Sequence, residues 1–237
     1  MSINNNDIYW NLYSTIIISF IIFVSFTIVQ SLIVLFLQKI AINDVSDVKL
    51  LAYSNLGLIS FISSIAGVLM VLFFIKLKTE NINDYLRLNS LNFKSSYYFF
   101  LATFALLIVM EYISKKYPDI FATDFVLESY KSANSLPLLY FGVVIFGPIF
   151  EEMLFRGFLF KGLQESFLGS TGAVIVSSII FSAIHIQYGI AVIVFLLFPM
   201  SILLGYARLK SNSLILPILL HSLNNLLTCL VTHFEVY

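Results

Sequence analysis

The stretch Phe146-Gly147-Pro148-Ile149-Phe150-Glu151-Glu152-Met153-Leu154-Phe155-Arg156-Gly157 sets two carboxylates and a guanidinium inside an apolar run of about 137 to 163. An ionised side chain at mid-bilayer costs roughly 3 kcal/mol on insertion scales, so charges in such a run must face one another or a wet cavity. Pro148 lacks an amide hydrogen and clashes with the carbonyl of Val144, so with Gly147 beside it the helix is expected to kink or restart here. A restart with Pro148 in the first position would favour the nearby carboxylates through the positive end of the new helix. Helical geometry parts the two glutamates by about 100°, whereas Glu152 and Arg156 stand four apart in the favoured acid-before-base order. Glu152 then has a partner, and Glu151 points toward whatever the other helices present. In the alternative, both acids snorkel to a helix end and pair with Arg156 or Lys161.

The rest of the chain is of the same kind. Apolar residues make up 59% of the 237 positions and charged residues 11%, well under the charge of a soluble domain, which places the chain in the membrane class. About seven apolar segments are long enough, or nearly so, to span a bilayer. They cover roughly 13–37, 57–75, 97–113, 137–163, 172–187, 189–207 and 213–234, the fifth being short. The expected fold is all-α, a polytopic helical bundle in the cell membrane, with residues 1–237 as a single integral membrane domain and its chemistry between 137 and 230. The first apolar run follows Asp7 without a preceding Lys or Arg and is too long for a signal-peptide core, so it reads as a true span. With a cytoplasmic N-terminus the inner loops and helix ends carry eight Lys and Arg against five outside, which favours that orientation.

Lys plus Arg equals Asp plus Glu at 13 each, so nothing in the charge suggests a nucleic-acid partner. Cys229 is the one cysteine and can close no intrachain disulfide. Between Lys115 and Ser135 lies the longest polar connection, where Thr123 or Asp124 is expected to cap a short helix over Phe125, Leu127, Glu128 and Tyr130 lying at the interface.

Two further spans carry polar chemistry. His185 closes Phe181-Ser182-Ala183-Ile184-His185, with Phe181 on the same helical face, and is either a packing residue or a catalytic one. His221-Ser222-Leu223-Asn224-Asn225 puts His221 and Asn225 on one face, four residues apart. There Asn225 can donate to an oxyanion while His221 donates or relays a proton; a polar patch joining helices is the plainer reading. H-E-x-x-H, G-x-S-x-G and a membrane-embedded aspartate pair are all missing, which argues against those three hydrolytic chemistries.

Taken in order, Glu151-Glu152 to Arg156, Phe181 to His185 and His221 to Asn225 resemble the motifs of the CAAX protease and bacteriocin-processing (Abi) family of intramembrane proteases. Phe155-Arg156-Gly157, the Leu216-Pro217-Ile218 run and, more weakly, the stretch from Asp84 to Lys94 look similar too. The resemblance implies an endopeptidase acting on a peptide or protein substrate, with Glu151 as general base and His185 holding the water. It implies oxyanion stabilisation by His221 and Asn225, and support from Glu152 and Arg156. It also leaves open a zinc or other divalent ion held by Glu151, His185 and His221; water activation without an obligatory metal is the expectation here. In the sixth span the family tends to carry spaced glycines, and this chain has Ser201 and Gly205, a small pair that still permits close helix approach. A non-catalytic protein giving bacteriocin immunity by binding is the rival function, and a transporter a more distant one, since no inverted repeat or paired broken helix is visible.

Overall fold

Helices account for all the regular structure among the described residues, which in this computed structural model are 9–40, 47–121 and 124–236. In chain order they are α1 Leu12–Ile40, α2 Val48–Ser54, α3 Leu56–Lys76, α4 Ile82–Leu86, α5 Phe93–Lys116 and α6 Pro118–Phe121. They continue with α7 Asp124–Ser132, α8 Leu136–Gln164, α9 Gly169–Ala183, α10 Ile190–Ser211 and α11 Ile215–Val236. α1, α3, α5, α8, α10 and α11 are long and apolar enough to cross a membrane, and the chain is a polytopic helical bundle. α9, in the place of the fifth expected span, has 15 residues. At 1.5 Å per residue it extends about 22 Å, short of the roughly 30 Å hydrocarbon core.

α8 is the central element, packed against α1, α3, α9 and α11, while α10 packs on α9 and α5. Apolar side chains face both ways, as a lipid solvent permits: α1 turns Ile17, Phe20, Ile28, Leu32 and Phe36 outward, and Ile18 and Ile22 inward onto α8. Close approach is set by small residues. A Cβ on Gly57 of α3 would collide with the backbone of Leu138 and Leu139, and one on Gly142 with the carbonyl of Gly57. Likewise the pair Ser201 and Gly205 lies against α9, where a Cβ on Gly205 would meet Val174 at 3.0 Å and Ser201 Oγ donates to Ser178 O at 3.4 Å.

Pro148 does not break the helix. α8 stays helical throughout, with π-helical turns over Phe141–Phe146 and Met153–Leu159 on either side of the α-helical Gly147–Glu152. In the first π turn the amide of Gly147 donates to Gly142 O, five residues back, so this amide is already bonded and no free helix start faces the carboxylates. Widening the turn moves the preceding carbonyls relative to the proline ring and eases its clash with them.

The short helix expected over Phe125, Leu127, Glu128 and Tyr130 is α7, beginning at Asp124; Thr123 lies outside the described residues. α7 is tied to the bundle by Tyr130, whose hydroxyl pairs with His233 Nδ1 of α11 at 2.9 Å, and by the Phe125 ring, set edge-on to Tyr53 and Tyr188.

Candidate active site

Glu151 lies near the middle of α8, about 20 Å from either end at 1.5 Å per residue. Its neighbour Glu152 and Arg156 are fully buried, and Arg156 Nη1 donates to Glu152 Oε1 at 3.0 Å. One turn of helix accounts for that contact. The remaining partners of Arg156 come from other helices: Nη2 donates to Ser201 O at 3.2 Å and to Ser201 Oγ at 2.6 Å, and the guanidinium lies 4.2 Å from the centre of the Phe181 ring. Arg208 Nε donates to the backbone carbonyl of Arg156 at 3.0 Å, which ties α10 to α8 a second time. Lys161 pairs with Glu165 and takes no part.

Glu152 Oε1 also accepts from His221 Nδ1 at 2.9 Å. Oε1 therefore receives two donors, one from its own helix and one from α11. On α9 the chain leaves the helix at Ala183, and His185 folds back so that its Nδ1 donates to Phe181 O at 2.7 Å. A carbonyl can only accept, so Nδ1 of His185 carries the hydrogen. Each histidine is thus oriented by a hydrogen bond on Nδ1, which leaves both Nε2 atoms turned toward the same carboxylate. Glu151 Oε2 stands 4.0 Å from Nε2 of His185 and 3.8 Å from Nε2 of His221. This oxygen takes no hydrogen bond from any described residue.

Exposure separates two layers. The side chains of Glu151 and His185 retain 24% and 16% accessibility, though Glu151 Oε2 itself is buried, while those of Glu152 and Arg156 have none. With neutral imidazoles the two carboxylates and one guanidinium leave one negative charge, which a proton on either histidine would neutralise. Just outside the spans, burial, and then the charge of Glu151, push the Tyr188 phenol above its usual range, so it remains a neutral donor beside the site.

Phe181 joins these parts: its ring covers Arg156, meets Phe155 and His221 edge-on at 5.4 and 5.7 Å, and its carbonyl holds His185. Asn225, one turn beyond His221, donates from Nδ2 to Val143 O at 2.9 Å, and its Oδ1 accepts from Asn224. One of its two amide hydrogens is therefore committed to α8. The Glu152–Arg156 contact was legible as a four-residue spacing. The partnerships of Ser201, Arg208 and Val143 have no such local signal.

The donor set does not form a metal cage as it stands. In a tetrahedral zinc site with bonds of about 2.0 to 2.1 Å, neighbouring ligand atoms are about 3.3 Å apart. The two Nε2-to-Oε2 separations here exceed that, and among the described residues no group of three His, Cys, Asp or Glu is placed to hold an ion.

Comparison with known proteins agrees with the motifs. Residues 133–227 match the family model described as type II CAAX prenyl endopeptidase Rce1-like, a segment that contains all three motifs. An uncharacterized 24.3 kDa protein of Escherichia coli is 33% identical over 93 residues, 38% of this chain and 42% of that protein. The match thus spans less than half the length of this curated relative. No solved structure matches. Over this C-terminal segment the chain is similar to the CAAX protease family.

Proposed function

We propose that this protein is an intramembrane endopeptidase that hydrolyses a peptide bond with water activated by Glu151 and His185, without an obligatory metal. The observation that carries the reading is the position of Glu151 Oε2, a buried and unbonded oxygen on a side chain that is otherwise 24% exposed, within 4.0 Å of the Nε2 atoms of two histidines whose orientation is already set. Two acceptors each about 2.8 Å from one water oxygen stand roughly 4 to 4.5 Å apart, so the 4.0 Å between Glu151 Oε2 and His185 Nε2 is a spacing that one water would bridge, once neighbouring atoms yield to admit it to the buried Oε2.

In this reading the water oxygen attacks the carbonyl carbon of the scissile bond while its proton passes to Glu151. The carbonyl oxygen becomes an oxyanion and receives a hydrogen bond from Nε2–H of His221, whose charged form Glu152 supports through Nδ1. Asn225, with its second amide hydrogen, adds a donor on the same side. Glu151 then returns the proton to the leaving amine as the carbon–nitrogen bond breaks. Glu152 and Arg156 act beneath, holding His221 and the helix in place.

The substrate is a peptide or protein, and the matched family description, a CAAX prenyl endopeptidase, supports a prenylated peptide as the first candidate. A cytoplasmic N-terminus is the orientation that the positive charge favours. The test is comparative peptidomics of cells carrying the wild type or Glu151→Gln, followed by cleavage of a prenylated tail peptide by the purified protein in lipid. Wild-type-dependent products support the reading. Identical peptide profiles, with a biological effect that survives Glu151→Gln, would replace it with the binding function.

A further inference from the structure

A proline within a helix leaves one carbonyl without its donor, and the surroundings of Pro148 show a replacement. In the first π turn of α8 the Gly147 amide reaches Gly142 O. The next bond of that series would run from residue 148 to Val143 O, and Pro148 has no hydrogen to give. Asn225 of α11 donates to that oxygen at 2.9 Å. Its orientation is defined, because its own Oδ1 accepts from Asn224 Nδ2 at 2.9 Å.

The adjacent carbonyl is held from another helix. Ser60 Oγ of α3 donates to Gly142 O at 3.0 Å, and Gly57 and Gly142 bring the two helices into backbone contact there. The π turn is therefore clamped between α3 and α11, about two turns before Glu151. Asn225 stands one turn from His221, so the same side chain couples the helix of the base to the helix of the oxyanion donor.

We propose that Asn225 is a positioning residue: it supplies from α11 the hydrogen bond that Pro148 removes from α8, and so fixes Glu151 at its working distance from His221. The inference rests on the reading of Glu151 as the base. Without Asn225, an unbonded carbonyl in apolar surroundings favours bending of α8 at the proline, and the carboxylate moves with it. Displacement of a reacting group by 1 Å costs about 10² in rate.

The test is a rescue. Alanine at 148 restores an amide hydrogen where Val143 O needs one, so the wild type, Asn225→Ala, Pro148→Ala and the double variant are compared as purified full-length protein in lipid, with a cleavable peptide. Asn225→Ala is expected to lower kcat by more than about 10² with KM little changed, since it removes the brace together with an oxyanion donor. The double variant should recover at least about tenfold of that loss, and the fall in Tm caused by Asn225→Ala should be smaller in the Pro148→Ala background. A folded, active Pro148→Ala whose double variant is no better than Asn225→Ala would overturn the proposal and leave Asn225 as an oxyanion donor only. If Pro148→Ala does not fold, amide exchange over 143–152 in Asn225→Ala decides: faster exchange supports the brace, and unchanged exchange refutes it. Wild-type turnover by Glu151→Gln would instead refute the base assignment, while the Tm coupling and the exchange still report on the brace.

Discussion

His221 of α11 donates from Nδ1 to Glu152 Oε1 of α8 at 2.9 Å across 69 residues of sequence. The same oxygen accepts from Arg156 at 3.0 Å. This carboxylate therefore works as a fixed acceptor, and its buried position gives both bonds a low-dielectric setting in which they are strong. Its adjacent glutamate, about 100° around the helix, is left with a free oxygen aimed at two imidazoles. Two identical side chains next to each other in sequence thus meet different partners because the helix turns between them.

Glu151→Gln is expected to insert, fold and melt like the wild type while losing turnover by about 10² to 10⁴, since the amide keeps the shape and cannot accept a proton from water. Cleavage of a prenylated tail peptide and thermal unfolding of the two purified proteins measure this. Wild-type turnover by the variant would remove Glu151 from the chemistry.

Arg156→Ala should instead act on stability. It strands Glu152, a buried carboxylate that also holds His221, and breaking one side of a buried pair costs about 3 to 5 kcal/mol. Folded yield and Tm should fall well below those of Glu151→Gln. Equal stability of the two variants would contradict the division between an accessible reacting layer and a buried supporting one.

Thorough chelation should leave activity nearly unchanged, and metal analysis of the purified protein should find no stoichiometric zinc. This is the outcome expected if Glu151 and His185, 4.0 Å apart at Oε2 and Nε2, act on water directly as proposed. Loss of activity on chelation, restored by added zinc, would overturn metal-free chemistry and leave the protease assignment standing.

Gly57→Val tests the helix contact behind the site. The new side chain meets the backbone of Leu138 and Leu139, which has no rotamer with which to yield, so a loss of about 1 to 3 kcal/mol or more is expected. Reduced activity should accompany it, because α3 and α8 are also joined here by Ser60 and Gly142. An unfolding curve identical to the wild type's would mean that the approach of α3 to α8 is looser than described.

The sequence alone determined what depends on neighbours along the chain. Apolar runs near twenty residues long mark the spans, since lipid demands internally bonded helices of that length. A four-residue spacing likewise made Glu152 and Arg156 partners, because one turn of helix brings such pairs together, whereas Phe181 meets His185 because the chain folds back after the helix ends at Ala183. Only the tertiary structure decided the rest. A kink or restart was the expectation at Pro148, and α8 runs on through π turns there, with α3 and α11 supplying hydrogen bonds to Gly142 O and Val143 O. Ser201 meets Arg156 across 45 residues and His221 meets Glu152 across 69, contacts that depend on how each helix is rotated about its axis. That rotation is set by which small side chains let backbones approach, a property of pairs of helices that no single segment contains.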